Sequence, residues 1–200
     1  MKRNFKNISY LLIVAALATS CVEKQQQTTE FPDWAWTEFQ RPAGVNPIIS
    51  PDTSTVFYCP MRQDSVAWEA SDTFNPAATI YDGKVVVLYR AEDNSAVGIG
   101  SRTSRLGYAY SDDGLHFNRM TVPVFYPADD NQKELEWPGG CEDPRVAVTD
   151  DGLYVMLYTQ WNRKQARLAV ATSRDLQIWE KYGPAFAKAY GGRFFDEFSK

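Results

Sequence analysis

Short apolar and β-branched segments alternate with turn residues along most of this chain, and each segment has the periodicity of a β-strand rather than of a helix. Residues 84–90, for example, are rich in valine and aromatic side chains and follow the turn Tyr81-Asp-Gly83. No segment of the mature chain has a convincing amphipathic helical pattern. The pattern therefore predicts an all-β protein.

Two blocks of four such segments repeat one plan. The matched positions are Asp82-Gly83 with Asp151-Gly152 and Leu88-Tyr89 with Leu157-Tyr158, 69 residues apart, and Arg105-Leu106 with Arg167-Leu168, Ser111 with Ser173 and Phe117 with Trp179, 62 residues apart. The spacing falls because the middle loop of the first block, at about residues 91–103, is the longer one. A constant period that is broken only in a loop indicates repeated structural units.

Each block predicts four antiparallel strands joined by Asp-Gly hairpins, which is the composition of one β-propeller blade. The predicted strands are 76–80, 84–90, 104–111 and 115–117 in the first block, and 145–149, 153–159, 166–172 and 177–180 in the second. A propeller closes with roughly four to eight blades. We therefore expect the chain to hold about two blades and to be the N-terminal part of a longer protein.

The first 21 residues predict export. A basic region is followed by the apolar residues 10–17, which are too few to span a bilayer, and small residues then precede Cys21. This order resembles a bacterial lipoprotein signal, in which Cys21 becomes a lipidated N-terminus. An ordinary secretory peptide and a short membrane anchor are the alternatives, and all three export the protein.

The predicted organisation is a signal at 1–21, a polar, glutamine-rich tether at 22–40 and part of a propeller at 41–200. We expect an exported protein held to a bacterial membrane by a lipid anchor only, in the periplasm or on the cell surface. The sequence does not indicate an oligomeric state.

The charge and the composition of the chain argue against nucleic acid as a partner and against a metal site. The net charge is −4, the pI is near 5.1 and no basic run exists outside the signal, so nucleic acid is not an expected partner. No paired cysteine or histidine spacing predicts a metal site. Cys59 and Cys141 either form a disulfide, which export would permit, or pack as thiols.

Polar residues at matching points of the two blocks predict a site on the propeller axis. The carboxylate pair Glu142 and Asp143 occupies the position that the amide Asn75 has in the first block. Asp143 precedes a strand expected to line the channel and could serve as an acid, since inverting glycosidases use two carboxyl groups. Glu142 would favour its protonated form and Arg145 would oppose this. A turn tied by an Asp143–Arg145 ion pair is an equally supported alternative.

Charged residues at the end of the segment 84–90 form a second candidate set. Arg90, Glu92 and Asp93 suit the binding of sugar hydroxyls, although a solvated acidic loop is the simpler interpretation. Arg105, near the start of the next strand, could bind a carboxylate or a phosphate. Its counterpart Arg167 in the second block favours a packing role instead.

Together these motifs resemble glycoside hydrolase family 130 over about residues 41–200. The motifs that carry the resemblance are Phe74-Asn-Pro-Ala77, Val87-Leu-Tyr-Arg-Ala-Glu-Asp93, Ser104-Arg-Leu-Gly107, Ser111-Asp-Asp-Gly114 and Gly139-Gly-Cys-Glu-Asp-Pro-Arg145. The resemblance implies a five-bladed propeller that acts on β-mannosides with inversion. It also implies that Asp143 is the general acid, acting through a sugar hydroxyl, and that Asn75, Arg90 and Asp93 bind the mannosyl unit.

The family contains phosphorylases, which use inorganic phosphate as co-substrate, and hydrolases, which use water, and it implies no cofactor. Many of the phosphorylases carry an aromatic residue before the acid, where this chain has Glu142. The Cys-Glu-Asp-Pro-Arg form resembles the hydrolytic members that cleave β-1,2-mannosides. The basic cluster that binds phosphate, or the glutamates that replace it, lies mostly beyond Lys200, and Lys200 is a candidate for its first position.

We therefore expect an exported hydrolase whose partner is a β-mannoside oligosaccharide. Glu142, Arg105 and Arg145 complete the predicted substrate-binding set around Asp143. The alternatives are a mannoside phosphorylase that releases mannose 1-phosphate and a non-catalytic propeller that binds glycans.

Overall fold

The computed structural model describes Ala35 and residues 39–196. The chain divides into two compact units, Met1–Gln40 and Arg41–Lys200, and the described strands lie in the second. The predicted signal and most of the predicted tether are outside the described residues. In the described part of the chain, no helix is long and apolar enough to cross a membrane.

Strands make up almost all of the regular structure. Within residues 39–196, helix is limited to α1 (Lys133–Glu136) and a 3₁₀ turn (Ala189–Gly192). The ten strands are β1 (Phe57–Cys59), β2 (Asp64–Val66), β3 (Asp72–Tyr81), β4 (Lys84–Glu92), β5 (Ser104–Ser111), β6 (Asn118–Arg119), β7 (Gly140–Val148), β8 (Tyr154–Trp161), β9 (Ala166–Ser173) and β10 (Glu180–Pro184). The prediction of an all-β protein is confirmed.

Strands β3 to β6 and β7 to β10 form two antiparallel four-stranded parts of one eight-stranded sheet, called blade 1 and blade 2 below. The blades meet where Ser104 of β5 pairs in parallel with Gly140 of β7. Only glycine fits at this junction, because φ of Gly140 is +119° and a Cβ would lie 2.2 Å from the Ser104 carbonyl oxygen. Both four-stranded parts are of the kind expected for propeller blades, and a total of five blades stays a prediction.

The predicted strands agree best with the structure in the middle of each blade. β5 and β9 begin at the predicted residues Ser104 and Ala166, and β4 begins at the predicted Lys84. The first strands are longer than predicted. They begin at Asp72 and Gly140, ahead of the predicted starts at Pro76 and Arg145, because each strand continues through a bulge that accommodates its proline.

The predicted fourth strands, 115–117 and 177–180, are misplaced by about three residues. In blade 1 the Asp113 carboxylate accepts hydrogen bonds from the backbone N–H groups of Leu115 and His116, so the turn continues through the predicted strand. Asp175 extends the corresponding turn of blade 2 in the same way. Strand pairing therefore begins later, at β6 and β10.

Two apolar clusters cover the two faces of blade 1. The first fills the space between the blades and contains Val86, Leu88, Leu106, Tyr108 and Phe125 from blade 1 and its connections, and Cys141, Tyr154, Met156, Tyr158, Ala169, Ala171 and Leu176 from blade 2. The second lies on the opposite face of blade 1, where Phe57 and Cys59 of the β1–β2 hairpin pack with Trp68 and Tyr89. Alternate residues of β4 thus serve different clusters.

A buried glutamate in blade 1 binds a tyrosine and a cation. Glu69 is fully buried just before β3, and its Oε2 atom accepts a hydrogen bond of 2.8 Å from the Tyr89 hydroxyl of β4. Arg119 of β6 places Nη1 3.2 Å from the same oxygen. Burial raises the pKa of Glu69, and the hydrogen bonds and the Arg119 charge act against that shift.

Blade 2 repeats this arrangement. The fully buried Glu136 of α1 accepts a hydrogen bond of 2.7 Å from the Tyr158 hydroxyl of β8, and Lys181 of β10 lies 2.5 Å from its other carboxylate oxygen. Burial raises the pKa of Glu136, and the Lys181 charge opposes this. We call each set of tyrosine, glutamate and cation a blade clamp. It ties the second and fourth strands of a blade to the segment before the first strand.

Replacing Lys181 with methionine should lower the free energy of unfolding by about 3 kcal/mol, because it leaves the buried Glu136 without its cation. The matched control is Lys133→Met, which breaks an exposed ion pair of 2.9 Å with Asp129 and should leave the free energy of unfolding nearly unchanged, because solvent screens the pair. Urea unfolding followed by tryptophan fluorescence measures both. Equal, small losses in the two variants would show that the clamp does not stabilise the blade.

Candidate active site

A bulge interrupts the first strand of each blade at equivalent positions. In β3 the pair Asn75-Pro76 faces one residue of β4, Tyr89. In β7 the pair Asp143-Pro144 faces one residue of β8, Tyr158. Two residues opposite one define a β-bulge, a device that redirects a side chain. Each bulge therefore faces the tyrosine of its own blade clamp.

The backbone of both bulges is left-handed before the proline. Asn75 has φ of +45° and Asp143 has φ of +51°, and Asn and Asp are the non-glycine residues that adopt this region most readily. Proline lacks the N–H group that the ladder would pair, so it is tolerated at a bulge. The two redirected side chains meet, and Asn75 Nδ2 donates a hydrogen bond of 2.9 Å to Asp143 Oδ1.

Arg90 reaches from β4 of blade 1 to the carboxylates of blade 2. Its Nη1 lies 3.1 Å from Asp143 Oδ1 and its Nη2 lies 2.8 Å from Glu142 Oε1. The guanidinium group also covers the Phe74 ring, 4.5 Å from the ring centroid. The side chains of Arg90 and Asp143 are only 4% and 2% exposed. Solvent therefore screens this pair weakly.

A second layer supports Arg90 from behind. Glu92 is fully buried, and its Oε1 lies 2.6 Å from Arg90 Nη2. Ser104 Oγ accepts a hydrogen bond of 3.1 Å from Arg90 Nε and lies 3.2 Å from carboxylate oxygens of both Glu92 and Glu142. The serine has one proton for the two carboxylates, so the two bonds share it.

Asp93 and Arg105 form a separate buried pair. Arg105 Nη1 lies 3.0 Å from Asp93 Oδ2, and the Arg105 guanidinium covers the Phe57 ring and approaches Cys59 Sγ at 3.5 Å. Burial works to raise the pKa of Asp93, but the Arg105 charge and hydrogen bonds from Ser95 outweigh it and hold that pKa below its ordinary value. The contacts of Arg105 are those of a packing residue, and its predicted contact with substrate stays a prediction.

Asp93 also lines an open cleft of about 690 Å³, with Met61, Arg62, Trp137 and Arg163 among the other lining residues. A mixture of one indole ring, two carboxylates (Asp64 and Asp93) and guanidinium groups suits polar, ring-shaped ligands. Asp93 therefore belongs to this cleft rather than to the Asn75–Asp143 contact.

The remaining predicted residues lie apart. Arg145 is exposed on β7, and its Nη1 donates a hydrogen bond of 2.6 Å to the Pro144 carbonyl. Lys200 and Cys21 are outside the described residues.

Cys59 and Cys141 are buried free thiols in different apolar clusters, so a disulfide between them is wrong and the packing alternative is correct. Burial raises the pKa of the Cys141 thiol.

The residues that the structure describes contain no group of three or more His, Cys, Asp or Glu side chains arranged to hold a metal ion. What the bulges and Arg90 bring together is a carboxyl group, an amide and a guanidinium. These groups can donate a proton and bind hydroxyl groups.

Comparison with known families identifies the chain. The profile described as "Glyco_hydro_130: beta-1,4-mannooligosaccharide phosphorylase" matches residues 44–191, well over half of the sequence. The chain belongs to glycoside hydrolase family 130.

Two solved structures with TM-scores of 0.81 share the fold of this family 130 chain. One, from Bacteroides thetaiotaomicron VPI-5482 and provisionally named a glycosidase, is 95% identical, and the match covers 84% of this chain and 48% of that one. The other is 70% identical over 84% of this chain and 46% of that one. It is described with the statement that the GH130 family of mannoside phosphorylases contains glycoside hydrolases that target β-1,2 mannosidic linkages in Candida mannan.

A curated relative from Thermoanaerobacter sp. (strain X514), named 1,2-beta-oligomannan phosphorylase, is 39% identical over 120 residues. The match covers 58% of this chain and 38% of the relative. The chain thus spans less than half of the length of these relatives.

Sequence reasoning about this family 130 chain found four of the residues that the structure brings together, Asn75, Arg90, Glu142 and Asp143. It considered Glu92 only as a group for binding sugar hydroxyls, and it gave Ser104, the first residue of a quoted motif, no role of its own. Only the expected pairing of the ends of the second and third strands could have indicated Ser104, because β4 and β5 place Glu92 opposite it. The Glu69 and Glu136 clamps also lacked a sequence signal, since both glutamates lie outside the repeated strand pattern, in the segments before the first strands.

Proposed function

We propose that the protein is an exported glycoside hydrolase that cleaves β-mannosides with inversion, with Asp143 as general acid. The observation that carries this proposal is the contact of Asp143 with both Arg90 and Asn75 at the repeated bulge. A catalytic acid must be held in one orientation, and these two donors fix one carboxylate oxygen of Asp143. Five blades, and the absence of any cofactor, are parts of the same proposal.

The contacts of Arg90 support a special role for Asp143. Glu142 and Glu92 share the guanidinium of Arg90 with Asp143. The arginine charge is therefore divided among three carboxylates and does not act on Asp143 alone.

In the proposed role, Asn75 and Arg90 bind hydroxyl groups of the mannosyl unit beside Asp143, and Asp93 contacts the sugar from the cleft. Asp143 passes its proton through a sugar hydroxyl to the leaving oxygen, and water attacks the anomeric carbon from the opposite face. Glu142 is the carboxylate directly before the acid, where the hydrolytic members of the family carry it.

A mannoside phosphorylase is the second candidate. The 39% identity to the 1,2-beta-oligomannan phosphorylase favours it, whereas the 70% identity to the structure described with glycoside hydrolases favours hydrolysis. Both candidates use the same acid and differ in the group that attacks. Export also favours hydrolysis, because phosphorolysis conserves energy only where the sugar phosphate is retained.

Incubating the complete protein with β-1,2- and β-1,4-mannobiose, with and without inorganic phosphate, distinguishes the two candidates. We expect free mannose as the only monosaccharide product, formed at a rate that phosphate does not change, because water is the proposed attacking group. Anion-exchange chromatography separates mannose from mannose 1-phosphate. Mannose 1-phosphate that forms only with phosphate would establish the phosphorylase instead, and no turnover on any mannoside would contradict both candidates.

Replacing Asp143 with asparagine should lower kcat by about 10² to 10⁴-fold, because the amide retains the shape and the contact with Arg90 but cannot supply a proton. The matched control is Asp150→Asn, at an exposed turn of blade 2, which should leave kcat unchanged. Mannose release measures activity, and calorimetry measures binding of mannobiose. Retained turnover in Asp143→Asn would remove the acid assignment, whereas binding of mannobiose with no turnover in the wild-type protein would favour a propeller that only binds glycans.

The proposed lipid anchor at Cys21 predicts a membrane-bound protein. Cys21→Ser should move the protein from the membrane fraction to the soluble fraction in a bacterial host, because the modified sulfur would be absent. Fractionation and immunoblotting measure the distribution. An unchanged distribution would favour an uncleaved membrane anchor over lipidation.

A further inference from the structure

Glu92 does not face the Asn75–Asp143 contact, yet it is one of the most completely buried charged groups of the chain. Its side chain is 0% exposed. Both of its carboxylate oxygens are engaged, Oε1 by Arg90 Nη2 at 2.6 Å and Oε2 by Arg102 Nη1 at 3.4 Å. Burying a carboxylate this deeply is costly unless its partners hold a defined geometry. The cost indicates a role in fixing the positions of those partners.

Of the two partners of Glu92, Arg90 is the one that contacts Asp143. Its guanidinium group donates hydrogen bonds in three directions. Nη1 points to Asp143, Nη2 lies between Glu142 and Glu92, and Nε points to Ser104. A guanidinium is planar, so fixing Nε and Nη2 from behind determines where Nη1 lies. Glu92 and Ser104 therefore aim Nη1 at Asp143.

We infer that Glu92 is a positioning residue that aims Arg90 at Asp143 and withdraws part of the arginine charge from the acid. The inference rests on the proposed role of Asp143. Without Glu92, the guanidinium could turn toward Glu142 alone and the contact with Asp143 would lengthen. With Glu92 present, the arginine charge is divided among three carboxylates, so Arg90 stabilises the ionised form of Asp143 less than an unshared guanidinium would.

Charged groups from several elements face this network. Arg90 and Glu92 lie on β4, Glu142 and Asp143 on β7, Arg102 in the loop before β5, and Asp72 on β3, where its carboxylate contacts Arg102. Arg102 has a second carboxylate partner in Asp72, so we expect it to stay paired when Glu92 is neutralised. The loss of the Glu92 charge therefore acts mainly on Arg90.

Two substitutions separate the charge of Glu92 from its geometry. Glu92→Gln keeps an oxygen that can accept from Arg90 but removes the negative charge, so the full arginine charge acts on Asp143. The proton affinity of the acid falls, and the alkaline limb of the kcat/KM profile should move to lower pH by about one unit. Glu92→Met removes the anchor as well, and kcat should fall by about a hundred-fold.

Glu69→Gln is the matched control, because Glu69 is also fully buried and bound by a tyrosine and an arginine. It should lower the thermal midpoint while the alkaline limb stays at its wild-type position. A shift of equal size in Glu69→Gln, or no shift in Glu92→Gln, would overturn the inference, since either result assigns Glu92 a purely structural role.

Crystal structures of the Glu92→Met protein test the inference without activity. We expect Arg90 Nη1 to leave the 3.1 Å contact with Asp143, and an unmoved guanidinium would overturn the inference. If the wild-type protein cleaves no mannoside, the proposed function is wrong, and the position of Arg90 decides the inference by itself. If Glu92→Met does not fold, the pH profile of Glu92→Gln decides it.

Discussion

The hydrogen bond between a buried tyrosine and a buried glutamate is the constraint on which both blades depend. In each blade the tyrosine lies opposite the bulge that redirects Asn75 or Asp143, so the bond fixes the strand against which the bulge forms. The glutamate can stay in the apolar interior only because a cation from the fourth strand neutralises it. The position of Asp143 thus depends on the ion pair of Glu136 with Lys181 at the other edge of blade 2.

The candidate site contains more carboxylate groups than cationic groups. Its charged members are Asp72, Glu92, Glu142, Asp143, Arg90 and Arg102. Such a cluster is costly to bury, and contacts with the two guanidinium groups offset part of that cost. Asp93 and Arg105 differ, since they neutralise each other and join the hairpin to blade 1. The resemblance to the family predicts that Arg90 and Asp93 bind the same mannosyl unit, whereas the structure places these two side chains in different surroundings.

Much of the fold could be predicted because the strands repeat with a constant offset, which reveals equivalent positions even where the strand pattern is weak. The repeat matched Asn75 with the Glu142-Asp143 pair, and the structure brings these side chains together. The fourth strands could not be predicted correctly because Asp113 and Asp175 bind backbone N–H groups and prolong the turns. Ser104 could not be found for another reason. Its role comes from pairing between β4 and β5, and nothing in its local sequence distinguishes it from other strand serines.

The left-handed bulges have a consequence for how the two blades diverged. Asn and Asp have nearly the same shape and the same tolerance for a positive φ, so one backbone holds either residue without adjustment. A single exchange of an amide nitrogen for an oxygen gives one blade a neutral donor, Asn75, and the other blade an ionisable carboxyl group, Asp143. Duplication of one blade can thus supply both halves of a donor–acceptor pair, and division of labour between the copies requires no change of architecture.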